Sequence, residues 1–265
     1  MKLTTMILRK VAVTGFGAIG LAAFAISANA ALITNGDFST ASCMGTGSVL
    51  ASCTSQSSPS GQVSYNVSLA GWSVPAPSGS YTFLFTSGSQ AGTGVTGQYG
   101  ALSLLGPITS DTLNGGGNFI GADAPFQPGA ISQTVGGLTV GAQYVLSFDW
   151  AAAQQKGFSG ATDDWWTATL GGVSKSTSKL SIGTGGFSGW NTASMTFTAT
   201  STSELLSFLA GSDSTSGEPP FALLDGVSLT QVTSTPEPAS WTMLVGGLSL
   251  LGAARFSRAK NWFKR

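Results

Sequence analysis

From Ala31 to about Val232, apolar and polar residues alternate in short runs, with no sustained stripe at helical spacing. In "QVSYNVSLAGW", Val63, Tyr65, Val67 and Leu69 fall on one face and Gln62, Ser64, Asn66 and Ser68 on the other. That period of two is what a half-buried strand requires. "QYVLSFDWA" repeats the pattern with Tyr144, Leu146, Phe148 and Trp150 facing inward. Strands of the same kind are predicted at "YTFLF", "GALSLLG", "WWTATLGG", "WNTASMTFTA", "ELLSFLAG" and "FALLDGVSLTQV". Roughly ten short strands with turn residues between them predict an all-β fold, an antiparallel β-sandwich over residues 31–232. A segment of that length can bury one two-sheet core unaided. "TSGSQAGTGVTGQYG" and "LNGGGN" read as long surface loops.

The two ends follow a different pattern. Lys2, Arg9 and Lys10 precede the apolar run Val11–Ser27, and the small-residue triplet Ala28-Asn29-Ala30 follows it. This is the arrangement of a secretory signal over residues 1–30, an N-terminal helix removed by signal peptidase after Ala30. At the other end, "ASWTMLVGGLSLLGAA" carries no charge, and Arg255, Arg258, Lys260, Lys264 and Arg265 follow it without an acid. We expect a short transmembrane helix over residues 239–256, roughly 24 Å of apolar run at 1.5 Å per residue, and a basic cytoplasmic tail over 257–265. Signal cleavage and the basic tail agree in placing the body outside the cytoplasm.

Between body and helix, residues 233–238 form a linker that ends in Pro236-Glu237-Pro238. Each proline fixes its own φ and disfavours the helical region for the residue before it, so Glu237 is held extended at the membrane edge. "PEPASWTMLVGGLSLLGAARFSRAKNWFKR" resembles the PEP-CTERM sorting domain of Gram-negative bacteria, with motif, apolar run and basic end in that order. The resemblance implies recognition by exosortase, a membrane-embedded cysteine transpeptidase, and removal of the tail. It also implies export across the inner membrane, a transient anchor there, and then a place at the cell surface or in the extracellular matrix, as in a biofilm. The basic end departs from an Arg run, being diluted by Phe256, Asn261, Trp262 and Phe263.

Charge sharpens the picture of the body. Charged residues are 8% of the chain and histidine is absent. From Ala31 to Thr235 three basic residues stand against ten acidic, a balance of −7. Such a body is not built to bind nucleic acid or an anionic membrane surface. Cys43 and Cys53 are the two cysteines, and in an oxidising compartment they are expected to form a disulfide. Asn66-Val67-Ser68 matches a glycosylation sequon but lies inside a predicted strand.

"ALITNGDFSTAS…GWSV", "ISQTVGGLTVGAQYVLSFDWA" and "FALLDGVSLTQV" resemble, in order and spacing, galactose-binding-like jelly-roll modules of carbohydrate-binding and extracellular adhesive proteins. The likeness implies a jelly-roll sandwich and, in many such modules, a structural Ca²⁺ joining the opening and closing strands. Asp37 and Asp225 match those strands, while Ser39 stands where an acid is often found. The other reading of both aspartates is an ordinary turn.

Sugar recognition needs an exposed aromatic face beside polar groups, and Asp164, Trp165 and Trp166 in "ATDDWWTATL" are the best local candidates. In a strand the two tryptophans point to opposite faces, so one is core. Trp72 and Trp190 tilt toward core. Asp163 and Asp164, or Asp149 and Asp164, have the residue types of a carboxylate pair, but nothing in the spacing makes either pair converge. Without histidine, nucleophile elbow or phosphate loop, we expect no enzyme. The expected function is a non-catalytic surface or matrix protein that binds extracellular polysaccharide. The alternatives are an adhesive protein that binds other protein subunits and, third, a glycan-active enzyme.

Overall fold

The computed structural model describes residues 31–53, 59–76, 79–106, 108–111, 113, 116–214 and 218–233. The signal segment with Ala28 and Ala30, the sorting motif Pro236, Glu237 and Pro238, the helix expected over 239–256 and the tail 257–265 lie outside these residues. Among the described residues no helix is long and apolar enough to cross a membrane.

The body is all-β, with fifteen strands and two six-residue helices among the described residues. Its main layers are two antiparallel sheets. The six-stranded sheet runs in the order β13 (Asn191–Thr198), β9 (Gln143–Gln154), β15 (Pro220–Gln231), β7 (Phe119–Asp123), β4 (Thr82–Phe85), β2 (Gly61–Gln62). The five-stranded sheet runs β11 (Val173–Ser176), β10 (Thr162–Leu170), β14 (Ser203–Gly211), β8 (Ile131–Gly136), with β12 (Leu180–Ile182) also on β10. From β7 to β10 and again from β13 to β15 the chain steps from one sheet to the other, so consecutive strands face each other across the core.

The alternation read along the chain is the alternation of the core. Tyr144, Leu146, Phe148 and Trp150 of β9 are buried, and on β10 the buried positions are Thr162, Asp164, Trp166, Ala168 and Leu170. Phe208 of β14 packs edge-on against Phe148 and Trp166, at 5.0 and 6.2 Å between ring centroids. Met195 and Phe197 of β13, with Leu224 and Leu229 of β15, complete the inter-sheet layer. A bulge between Asp225 and Ser228 lets β15 turn past the opening segment, where the Val227 N–H donates to the Gly36 carbonyl.

Two expectations are corrected. The strand predicted over "QVSYNVSLAG" is broken: β2 ends at Gln62, residues 64–66 turn, and β3 (Val67–Leu69) leaves to pair with β1 (Ala41–Cys43). The turn is fixed by Ser64 at φ 65°, whose N–H donates to the Val67 carbonyl. Asn66 is fully buried there and donates to Ser52 Oγ and the Thr96 carbonyl, so the asparagine of the sequon is not accessible. Likewise "TSGSQAGTGVTGQYG" is no loose loop. It folds into α2 (Gly88–Thr93) and β5 (Val95–Gly97), which with β6 (Gly100–Leu102), in the strand predicted at "GALSLLG", cap the outer face of the six-stranded sheet. Beneath the cap, Phe83, Phe85, Phe119, Phe221 and Leu223 form a second core with Ala91, Val95, Leu102 and Leu104. The Cys43–Cys53 disulfide is formed and closes the loop that contains α1 (Gly47–Ser52).

Candidate functional site

The cap ends in the β5–β6 hairpin. Gly97 pairs with Gly100, which leaves Gln98 and Tyr99 as its two-residue tip. The hairpin lies flat on the sheet because Gly97 has no side chain: a Cβ there would meet Gln62 Oε1 and the Phe83 ring at 2.7 Å. Buried Gln62 clamps it, accepting the Gln98 N–H at 2.8 Å and donating to the Ser80 carbonyl at 3.1 Å.

This construction sets Tyr99 beside the loop after β7. Tyr99 is 61% exposed and Phe126 46%, with ring centroids 5.6 Å apart. Tyr81 is buried beneath both, 5.1 Å from Phe126 edge-on and 6.1 Å from Tyr99. Two amides order the edge of the patch. Gln98 Nε2 donates to Gln127 Oε1 at 3.0 Å, and Gln127 Nε2 donates to the Tyr99 hydroxyl at 2.9 Å. That hydroxyl accepts here and keeps its own proton to donate. Gln127 sits at φ 53°, a left-handed conformation that costs a non-glycine residue energy. The Tyr81 N–H, donating to the Gln127 carbonyl at 3.0 Å, helps hold it there.

A carboxyl lies under the patch. Asp123 is 3% exposed, and its Oδ1 accepts the Phe126 N–H at 3.0 Å. Burial pushes its pKa up to about 7, against the opposing pull of that N–H. Burial, and after it the charge of Asp123, also raises the Tyr81 phenol. What the surface offers is two exposed ring faces edged by an amide chain and a phenol donor. That combination suits the apolar faces and hydroxyl edges of a sugar.

The residues singled out in the sequence do not form one surface. Trp166 is 1% exposed and donates its indole N–H to the Leu223 carbonyl at 2.9 Å, and Asp164 is wholly buried on the same face of β10. Neither reaches a surface glycan. Both Asp164 oxygens lack a hydrogen-bond partner, and burial, then the charges of Asp163 and Asp123, pushes the carboxyl well above the usual range. Trp165 alone faces outward, with the Lys179 ammonium 5.1 Å from its ring centroid. Lys179 in turn pairs with Asp163 at 3.2 Å and with Asp213. Burial would raise Asp163, but the Asp213 N–H and Lys179 outweigh it and hold the carboxyl below its ordinary value. Asp163 and Asp164 point to opposite faces of β10, and Asp149 lies on the outer face of the other sheet, so none of these acids converge. Trp72 is buried and donates to the Asn35 carbonyl, and Trp190 packs edge-on against Phe119.

The backbone brings the opening and closing segments together where the Val227 N–H donates to the Gly36 carbonyl. Exposed Asp37 accepts the Ser39 N–H and hydroxyl at 3.3 and 2.9 Å, the turn reading of that residue. Asp225 is buried, accepts the Gly226 N–H at 2.7 Å, and lies opposite Asp149 in the β9–β15 register. Among the described residues no three acidic or cysteine side chains gather to hold a metal. One oxygen of each aspartate is thus taken up by a nearby backbone N–H.

Neither a family model nor a curated protein matches the sequence. Several solved structures are similar in part. TmCBM61 in complex with β-1,4-galactotriose shares 14% identity at a TM-score of 0.32, over 62% of this chain and 90% of that one. A CBM4 structure shares 15% at 0.33, over 76% and 99%. The CBM22-1 xylan-binding domain of Paenibacillus barcinonensis Xyn10C shares 12% at 0.33, over 62% and 88%. A likeness of this size fixes neither a ligand nor a site.

Proposed function

We propose that the sandwich is a non-catalytic carbohydrate-binding module that docks a neutral polysaccharide on the Tyr99–Phe126 platform. The observation that carries this reading is the exposed, braced ring pair with its Gln98–Gln127–Tyr99 hydrogen-bond chain. An aromatic pair exposed by accident would not be held by a clamped hairpin and a residue in a left-handed conformation. The charge balance of the body favours a neutral glycan, since an anionic one meets long-range repulsion. Binding of the purified protein to immobilised neutral polysaccharides tests the reading, with the Tyr99→Ala variant as control. No retention on any neutral glycan, or retention unchanged in the variant, overturns it.

The ends of the chain support a place for the module at the cell envelope. In this proposal the signal segment exports it across the inner membrane of a Gram-negative cell. Exosortase then removes the tail at Pro236-Glu237-Pro238, leaving the module at the surface or in the matrix. Glu237→Ala should retain the unprocessed tail in the membrane fraction, and identical tail masses in wild type and variant would sink the sorting step. A second reading, adhesion to a protein partner, draws on exposed Leu205 and Leu209, on the side of the five-stranded sheet that carries Trp165. Retention on protein subunits but on no glycan would favour it.

A further inference from the structure

At the opposite edge of the six-stranded sheet lies a trough that the platform does not use. It follows the outer edge of β13, the last strand of that sheet, and is closed on its far side by the connection from β11 to β12. Its volume is about 340 Å³. Trp150 and Met195, both buried, and half-buried Leu180 form an apolar floor. Exposed Ser178, Asn191 and Ser194 form the rim.

All ten lining residues are uncharged, so the trough's own walls offer no charge partner to an ionic ligand. The polar groups divide into committed and available. Thr177 Oγ1 accepts the Trp166 N–H, and Thr192 donates to Asp149 at 2.6 Å. Asn191 Nδ2 donates to the Gly189 carbonyl, so its carbonyl oxygen remains to accept. The Ser178 and Ser194 hydroxyls make no protein hydrogen bond among the described residues. As the edge strand of its sheet, β13 adds backbone donors and acceptors that face away from β9. An apolar floor under a rim of hydroxyl, amide and backbone groups matches a pyranose ring, apolar on its face and polar around its edge. The volume is at the small end for ligand pockets, fit for the end of a chain and not for a long run of it.

We infer that this trough is a second carbohydrate subsite that takes a terminal, neutral sugar residue. The choice of ligand class rests on the glycan reading of the platform, but the site itself rests on the trough alone. With strands about 4.8 Å apart, the two sites stand roughly 20 Å from each other across the sheet. One module can then hold two polysaccharide chains at once and link them, which raises retention by multivalency.

The test is an NMR titration of the protein with neutral mono- and oligosaccharides of glucose, galactose, xylose and mannose. Amide shifts at residues 176–178 and 191–195 report the trough, and those at 98–99 and 126–127 report the platform. The expected result is saturable shifts at the trough in both wild type and Tyr99→Ala. They should weaken at least tenfold in Ser178→Tyr, which fills the trough from an exposed position, and weaken also in Asn191→Ala. Wild type should cross-link a branched neutral polysaccharide, read as turbidity, and either single-site variant should not. Platform shifts without trough shifts overturn this inference and leave the platform intact, whereas trough shifts without platform shifts overturn the platform instead. If no sugar moves the trough but Ser178→Tyr abolishes self-association in sedimentation, the edge of β13 docks another strand and the inference fails.

Discussion

Replacing Asp123 by Asn should make the protein more stable at neutral and alkaline pH, and the size of the effect follows from burial. The Asp123 carboxyl has a folded pKa of about 7 against an ordinary value of 3.8. The folded state therefore binds a proton that the unfolded chain releases, and between those values stability falls as pH rises. One carboxyl contributes a slope of about −1.4 kcal/mol per pH unit, or about 4 kcal/mol in total once pH exceeds 7. Asparagine keeps an oxygen for the Phe126 N–H and removes the charge. Urea unfolding at pH 4.5, 6, 7 and 8.5 should show wild type losing stability across the series and Asp123→Asn losing less. The variant should keep the part of the slope that belongs to Asp164, which is shifted in the same direction. Parallel curves for the two proteins would refute the argument, because Asp123 would then be no more buried when folded than when unfolded.

Further outcomes follow from the packing and the caps. Trp166→Ala should cost about 3–5 kcal/mol of unfolding free energy, and Trp165→Ala, on the outer face, less than about 1 kcal/mol, both read by denaturant titration. Glu204 accepts the Thr200 N–H and hydroxyl and the Ser201 N–H, and these outweigh burial to hold its pKa below the ordinary value. Glu204→Gln should therefore cost about 1–3 kcal/mol at pH 7, and the difference from wild type should shrink as pH falls through the folded pKa. Reducing Cys43–Cys53, which are 10 residues apart, should cost about 2–3 kcal/mol, measured as a lower Tm in dithiothreitol. Chelating calcium should leave Tm unchanged, and a fall of several degrees would show that Asp37 and Asp225 hold an ion after all.

What could be read from the sequence and what could not divide along physical lines. Strands β9, β10, β13, β14 and β15 are long enough for a period of two to show, and each is found where the alternation puts it. The pattern misled at Ser64–Asn66 because turn residues happened to occupy the polar positions of an alternating run. It also missed α2 and β5 of the cap, where Gly and Ser dominate and the apolar residues are too few to show a period. The platform suffered for the same reason. Tyr99 stood in a glycine-rich stretch read as loop, and Phe126 follows β7, so only the fold brings them to 5.6 Å. "DDWW" drew attention by composition, yet alternation on β10 sends Asp164 and Trp166 into the core and leaves Trp165 outside. Gly97 between Val95 and Tyr99 was the available sign of a hairpin pressed onto a sheet, but the sequence alone does not separate it from a flexible glycine.

The central claim is that Tyr99 and Phe126 form the sugar-binding face, and isothermal titration of wild type and Tyr99→Ala with one retained neutral polysaccharide tests it most directly. The account predicts that the variant binds at least tenfold more weakly, about 1.4 kcal/mol, with an unchanged unfolding midpoint. Equal affinity in the two proteins would contradict it.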